Sequence, residues 1–526
     1  MKIKNPVVVI GNVIFLLGVL LSATLRILQV RDYNFAFTFD QARDMLEIRP
    51  MAQFRDIKLV GPTTSINGLL LGPYYYYFNL LAYWLGNGNP QALANWNVLW
   101  FVLSAVIVYI VLKREYFLFA LILSLFYLFS PQLFPVTSYF WNANSAVYVA
   151  LFYFVCLFLF SHTPTPKLAF LLGLTSTILI QFEAAFGAPT FLYSILVLFL
   201  IRRDWGLIRM FFFGSLPLFV PQILFDVTHN FNMTKILLGF FNGTNTVLGE
   251  KLPFSTIIHS HLASILPMFE GQFVAPYRYG LYVLILSAGF LFAIRKTRRF
   301  ASTFVGFFLF SFIFYLLVYH HPLKSWYLLG FRVWYLFVTS YALSFAIESF
   351  FSIRRPLPLR ATIVRIPVVT VVFLGLFLNF YTISLDKLKS ISSFYASDDP
   401  KNAKNIIRTL DWVYEMADGE RFEAYNFVPE VYDYPYQYLF WWYGKERYNY
   451  TPLVVSYSIT DVPSYTRMAE NFINNNGGGQ SRYISLIYEM KDGHNSWLEQ
   501  FKDYCVVKKE IFEWKVAAEW REKCKI

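Results

Sequence analysis

Long apolar runs recur from Pro6 to Ile383, separated by short segments that hold most of the charge. No other feature restricts the fold so strongly. A run of about 20 apolar residues crosses a hydrocarbon core of about 30 Å as a helix. Lipid offers no partner to an open backbone N–H or C=O, so helices are the form such runs take. Eleven crossings are expected, at roughly 6–28, 93–112, 116–130, 145–161, 168–183, 187–201, 210–227, 279–294, 300–319, 333–351 and 363–383. With 56% hydrophobic and 15% charged residues, and with 57 Phe, 37 Tyr and 13 Trp, the chain is too apolar for a soluble globule. An α-helical polytopic membrane protein is predicted. The first run follows two lysines, yet it is too long for a signal-peptide core and no small-x-small cleavage site follows it, so it reads as an uncleaved anchor.

The net charge of +12 does not point to nucleic acid, because it is unevenly placed. Residues 1–385 carry 27 Lys and Arg against 12 Asp and Glu, whereas residues 386–526 carry 18 against 21. Starting from a cytoplasmic N-terminus, alternate loops hold Lys2 and Lys4; Lys113 and Arg114; Lys167; Arg202, Arg203 and Arg209; Arg295, Lys296, Arg298 and Arg299; then Arg354, Arg355, Arg360 and Arg365. These are 16 of the 27 basic residues, with only Glu115 and Asp204 as acids among them, the pattern of a cytoplasmic face. Eleven crossings then leave the C-terminus extracytoplasmic, in a multi-pass protein of the cell or plasma membrane. The opposite loops are richer and are where the chemistry is expected: 29–92; 229–278, with His229, Lys235, Glu250, Lys251, His259, His261, Glu270 and Arg278; and 320–332, with His320, His321, Lys324, Trp326, Tyr327 and Arg332.

From about residue 386 the composition changes, so residues 1–385 are expected to form the membrane module and 386–526 a small soluble α/β domain. Its elements read as a helix from Asp399-Pro400 to about Met416, a strand at 421–427, an aromatic helix at 434–443, and a strand at 483–488. The linker-like patch Asn474 to Gly479 precedes that last strand. A short helix from Ser496 and strands near 504–508 and 511–518 complete the domain. Cys156 lies in a span, and the expected compartment permits a disulfide between Cys505 and Cys524.

Ten residues after the first span stands Phe39-Asp40-Gln41-Ala42-Arg43-Asp44, followed by Glu47, Arg49, Arg55, Asp56 and Lys58. Charge this dense between two apolar spans is costly unless it sits in water and serves a purpose. At spacings of 4 and 7 from Asp40, Asp44 and Glu47 can share one face of a short helix, or pair with Arg43 or Arg49. The series Asp40 to Arg43, an amphipathic segment to Phe54-Arg55-Asp56, Asn67-Gly68, and Gly72-Pro73 followed by Tyr74 to Tyr77 resembles the first outer loop of GT-C glycosyltransferases that use polyprenyl-phosphate sugars. Lipid A aminoarabinose transferases and protein O-mannosyltransferases come nearest. Their pattern is an Asp-Glu pair, an Arg two residues on, an Asn-Gly, and a Pro followed by aromatics.

The resemblance implies transfer of a hexose or pentose from an undecaprenyl- or dolichyl-phosphate donor to a lipid, glycan or protein acceptor, at the outer face of the membrane. Asp40 matches the family's catalytic Asp, a general base in an inverting transfer, with Asp44 or Glu47 as a second carboxylate. Arg43 matches an arginine facing the donor phosphate, and Lys58, Tyr327, Lys324 and Arg332 are further donor contacts. Three departures stand out. Gln41 replaces the Glu of the pair; Leu71-Gly72 precedes Pro73 where the aminoarabinose enzymes have Glu-Lys; and Asn142 and Asn144 stand where relatives often carry Asp. No cofactor is therefore implied with certainty, and a divalent metal stays open. Tyr75, in the tetra-tyrosine run, suits stacking on a sugar. Glu183, at the end of a span, either reaches water or lines the site. His259 and His261 lack a third ligand at fixed spacing, so surface positions suit them better than a metal site. Rival readings are a transporter or lipid flippase, which would place charge at the midplane and show repeats, and a surface-glycan polymerase or ligase, which would carry its main loop later in the chain.

Overall fold

The computed structural model describes residues 6–242, 252–269, 279–351, 398–428, 432–456 and 481–525. The helices of its first part are α1 (Pro6–Val30), α2 (Phe39–Phe54), α3 (Tyr74–Leu85), α4 (Pro90–Leu112), α5 (Phe117–Phe129), α6 (Asn142–His162), α7 (Pro166–Phe182), α8 (Ala184–Ile201), α9 (Trp205–Thr228), α10 (Asn232–Phe241), α11 (Phe254–Ile265), α12 (Tyr279–Ala293), α13 (Arg298–Val318) and α14 (Leu329–Phe351). Each of the first ten expected crossings meets one of these helices. The eleventh, at 363–383, lies outside the described residues, as do Lys2 and Lys4, Arg354 to Arg365, Glu250, Lys251, Glu270, Arg278 and the Asn474 to Gly479 patch. Among the described residues, α1, α4, α6, α8, α9, α13 and α14 are long and apolar enough to cross a membrane; α7 and α12 are shorter apolar helices. This is an integral, multi-pass membrane protein.

Contacts divide the chain into two compact units. The first comprises Met1–Leu28, Ile57–Phe78 and Asn95–Lys389. At its centre are α6 and the span containing α14, each 89% buried, whereas α9 is only 28% buried and lies at the periphery. α7 packs against α6, α8 and α9, and α14 against α5, α6 and α12. The core is largely aromatic: Phe300, Phe304, Phe337 and Tyr341 stack face to face at centroid separations of 4.0 to 6.3 Å, an arrangement that fills space where lipid supplies no hydrophobic drive between helices. The α5 crossing is broken. After Phe129 the chain bends by 55° into 3₁₀ turns at Pro131–Leu133 and Pro135–Ser138, since each proline removes an N–H that a continuing helix would need.

The second unit comprises Gln29–Asp56, Asn79–Ala94 and Ser390–Ile526. Its further elements are α15 (Ala403–Ala417), β1 (Phe422–Phe427), α16 (Tyr434–Tyr448), β2 (Leu453–Ser456), β3 (Tyr483–Glu489), α17 (His494–Leu498), β4 (Tyr504–Ile511) and β5 (Val516–Lys523). The five strands form one sheet in the order β2-β1-β3-β5-β4. β1 runs parallel to β2 and β3, and β5 is antiparallel to β3 and β4. β1 and β3 are buried along nearly their whole length, as inner strands covered on both faces are. Tyr425, Ile484, Leu486, Trp497, Phe501 and Ala517 are among the residues of the core on one side. The short strand β2 is an addition to the expected elements. Cys505 and Cys524 form a disulfide across the terminal hairpin, with Cα atoms 5.1 Å apart.

Candidate active site

The expected residues fall into two groups, one in each unit. Asp40, Gln41, Arg43, Asp44 and Glu47 all lie on α2, which begins at Thr38. The Gln41 Oε1 accepts hydrogen bonds from the Thr38 backbone N–H at 2.8 Å and from its hydroxyl at 2.7 Å. Gln41 is thus the third residue of a capping box and is wholly buried. Its amide oxygen serves the helix start.

One turn further, Arg43 is held between two carboxylates. Its Nη1 lies 3.1 Å from Asp40 Oδ1, while its Nη2 and Nε lie 2.8 and 3.0 Å from Asp44 Oδ1. Side-chain exposure is 8% for Arg43, 14% for Asp40 and 3% for Asp44, so one cation serves two acids away from water. Burial raises the Asp40 carboxyl above its ordinary value against the pull of Arg43. The Asp44 carboxyl is pushed up to about 7, chiefly by burial, with Arg43 opposing and Asp40 adding to the rise. Two acids sharing a cation in a poorly solvated place titrate as a pair. Glu47 is half-buried one turn on. The helix is fixed from below by α16: the Arg49 guanidinium lies 3.8 Å from the centre of the Trp441 ring, and Phe37 meets Tyr438 edge to face. Ahead of α2, the Phe37 N–H donates to Lys401 O at 2.8 Å and the Phe35 carbonyl accepts from Ala403 at 2.9 Å.

In the first unit, residues 61–72 form a hairpin. Gly61 donates to Leu71 O, Leu71 to Pro62 O and Leu69 to Ile66 O, at 2.8 to 3.0 Å. The Asn67-Gly68 pair makes the turn, with Gly68 at φ +80° as the third residue of a type II turn requires. The hairpin carries Ser65, whose hydroxyl accepts a hydrogen bond from Tyr327. Tyr327 is buried and its ring meets Tyr319 edge to face. Lys324 and Trp326 are exposed, and Trp326 packs against Trp141. Lys58 is half-buried and its carbonyl accepts from Tyr77 at 3.0 Å. Gly72 is a close approach: a Cβ there would lie 1.2 Å from Gln181 Oε1, and Gln181 is itself buried and donates to Gln222 Oε1 at 2.7 Å. The absence of a side chain at Gly72 makes room for the Gln181 amide. Tyr75, expected in a loop, is instead buried at the start of α3 with its ring perpendicular to Phe182.

The break after α5 leaves carbonyls without helical partners, and two arginines take them up. Arg26 of α1, wholly buried, donates to the Leu128, Leu133 and Phe134 carbonyls at 3.1 to 3.3 Å and to the Thr137 hydroxyl at 2.7 Å, while Phe101 flanks its guanidinium at 3.9 Å. Arg332 donates from Nη1 to the Gln132 carbonyl at 2.6 Å, and its Nε has no partner among the described residues. Neither Arg26 nor Ser65 was singled out by the sequence reading. An arginine inside an apolar span and a hydroxyl two residues before an Asn-Gly turn are the signals that find them.

The remaining candidates have local roles. Asn142 donates to the Phe182 carbonyl and Asn144 to that of Tyr139, both at 2.7 Å, so these amides hold turns. Glu183 caps α8 by accepting from Ala185 at 3.3 Å, is 8% exposed, and has the phenols of Tyr315, Tyr319 and Tyr327 within electrostatic reach. His259 and His261 lie on helix α11. His259 is exposed, but His261 departs from the expected surface position: it is wholly buried, with Nε2 3.1 Å from the His321 carbonyl. The apolar face of α11 carries it inward. Among the described residues no three His, Cys, Asp or Glu side chains gather as a metal site would need.

No family model and no curated protein matches the chain. Among solved structures, ArnT from Cupriavidus metallidurans bound to undecaprenyl phosphate aligns with a TM-score of 0.55 and 12% identity, over 98% of this chain and 97% of that one. The same protein in the apo state aligns with a TM-score of 0.55 and 14% identity over the same shares. At such identities what is common is the fold, and it is common from end to end. The chain has the fold of ArnT.

Proposed function

We propose that this protein is a membrane glycosyltransferase that moves a sugar from a polyprenyl-phosphate donor to a hydroxyl of a lipid, glycan or protein acceptor on the extracytoplasmic side. The observation that carries the reading is the buried Asp40, Arg43 and Asp44 cluster, set on a capped helix directly after the first span. That a structure of the same fold has undecaprenyl phosphate bound supports the donor class.

In this mechanism the acceptor oxygen attacks the anomeric carbon, the bond from that carbon to the phosphate oxygen breaks, and its electron pair leaves on the lipid phosphate. The acceptor's proton passes to the Asp40 carboxylate. Arg43 keeps Asp40 ionised and oriented, and Asp44 fixes the guanidinium from its other edge. Lys58, Lys324, Tyr327 and Arg332 are assigned to the donor phosphate, whose charge grows as the bond breaks. Removing a general base lowers turnover by about 10²- to 10⁴-fold. Asp40→Asn is therefore expected to abolish release of lipid phosphate from a polyprenyl-phosphate sugar in membranes, with expression and donor binding retained. Near-normal turnover in that variant would remove the assignment. Counterflow of the same lipid in liposomes without phosphate release would favour a flippase instead.

A further inference from the structure

The second unit holds a cleft that the proposed chemistry does not use. Its volume is about 320 Å³, and its walls come from Tyr33, from the turn through Asn87 and Asn89, and from one end of α16. Tyr33 ends the first span, and Asn89 directly precedes the span that starts at Pro90. Three of the wall or adjoining residues adopt left-handed backbone without being glycine: Asp32 (φ 56°), Tyr33 (φ 60°) and Asn87 (φ 47°). For a bulky residue such as Tyr33 that conformation is unusual, and it persists where the surroundings over-determine it, often at ligand sites.

The surroundings here do so with specific bonds. The Tyr438 hydroxyl donates to Gly88 O at 2.5 Å and the Trp442 indole N–H to Asn87 O at 3.1 Å. The Asn89 amide donates to the Tyr33 hydroxyl at 3.3 Å, and the Asn87 amide to Glu446 Oε1 at 3.3 Å. Two amides, a carboxylate and a phenol are thereby held in place around aromatic rings, Tyr33 and Trp442 lying 6.3 Å apart. Glu446 and Arg447 carry opposite charges, so the cleft favours neither an anion nor a cation. Alternating donors and acceptors beside ring faces match vicinal hydroxyls and the C–H faces of a pyranose or furanose. We propose that this cleft binds a neutral saccharide, the glycan portion of the acceptor; the assignment of the ligand as acceptor rests on the transferase reading above. A lipid phosphate would gain Arg447 but meet Glu446, which disfavours a headgroup.

The test is saturation-transfer difference NMR on the full chain in phosphatidylcholine nanodiscs, with methyl glycosides of glucose, galactose, mannose and arabinose as probes. Transfer to the ring protons of at least one glycoside is expected, falling at least fivefold when either of two wall residues is changed, Tyr443→Ala or Glu446→Gln. Tyr443 also bonds Asp411 at 2.8 Å, so the exposed Glu446 supplies the variant that keeps the fold. No transfer to any of the four probes, equal transfer in wild type and Glu446→Gln, or displacement by inorganic phosphate or by phosphatidylglycerol would each overturn the proposal. Lipid-phosphate release measured on the same samples separates the two claims. Release without glycoside binding sinks the cleft alone, and glycoside binding without release sinks the transfer reaction alone.

Discussion

Asp44→Asn should make this protein more stable at alkaline pH, although it deletes one half of a buried ion pair. The Asp44 carboxyl is raised from 3.8 to about 7, mainly because burial penalises its charge. A folded-state value above the unfolded one means that the folded protein binds the proton more tightly. Protonation of Asp44 therefore contributes stability that is fully present below about pH 3.8 and is lost as the pH rises through 7. The gap is worth at most about 4 kcal/mol, at 1.36 kcal/mol for each tenfold change in proton affinity. Asparagine keeps the shape and an acceptor for Arg43, which retains Asp40 at 3.1 Å, and it never ionises. The difference in stability between variant and wild type should accordingly shift in the variant's favour with rising pH, most steeply between pH 5 and 7, and level off above pH 8. The measurement is thermal and denaturant unfolding of both proteins in one detergent from pH 5 to 8.5. Titrations common to the two proteins cancel in the difference. A pH-independent difference would refute the claim that Asp44 is held in a desolvated site, and a difference of opposite slope would show that Arg43 outweighs burial.

Other outcomes follow from the same geometry. Because burial raises the Asp40 carboxyl, transfer should fail on acidification at a pH above the ordinary carboxylate range, and a pH profile of kcat/KM with its acid limb near 4 would contradict this. Gly72→Ala should cost about 1 to 3 kcal/mol through overpacking against Gln181, with Gly72→Ala/Gln181→Ala less destabilised than the sum of the single variants; strict additivity in unfolding measurements would disprove the contact. Arg26→Leu removes the guanidinium from the Leu133 carbonyl and leaves the Leu128 and Phe134 carbonyls only the Ser22 and Thr137 hydroxyls; at about 1 to 3 kcal/mol for an unsatisfied group, it should show as a fall in Tm with proteolysis near residues 129–138. Reduction of the Cys505–Cys524 bond, which closes a loop of 19 residues, should lower the stability of the sheet unit by about 3 kcal/mol, read as faster amide exchange in β4 and β5.

The membrane helices were legible because lipid permits so few alternatives: ten expected crossings lie where helices are observed, from Pro6–Val30 to Leu329–Phe351. The strands around Tyr425 and Leu486 were legible from short apolar runs bounded by turns, whereas the last strand, expected at 511–518, is observed at Val516–Lys523. The interior of the first loop was less so. Tyr74 to Tyr77 carries no helix-start signal beyond Pro73, yet it opens a helix on which Tyr75 and Tyr76 are buried, with Phe182 covering Tyr75. The placing of α2 was illegible for a different reason. Its supports come from residues such as Asn402, 368 positions from Asn34, and no local pattern announces a contact of that range. Asp40 and Arg43 were found as residues, but their pairing with Asp44 required the helix, and the role of Gln41 required seeing Thr38 ahead of it. His261 was misplaced because two histidines two apart on a helix face different surroundings.

Arg26 has a consequence for biogenesis. The first helix leaves the ribosome long before its hydrogen-bonding partners exist, since the carbonyls that receive its guanidinium lie 102 to 108 positions later in the chain. Until those residues are made, the guanidinium has the Ser22 hydroxyl on its own helix together with water and lipid headgroups, which the long arginine stem lets it reach. The α1 helix therefore completes its bonds only when the segment that follows α5 has arrived, so a contact begun early in synthesis is closed about a hundred residues later.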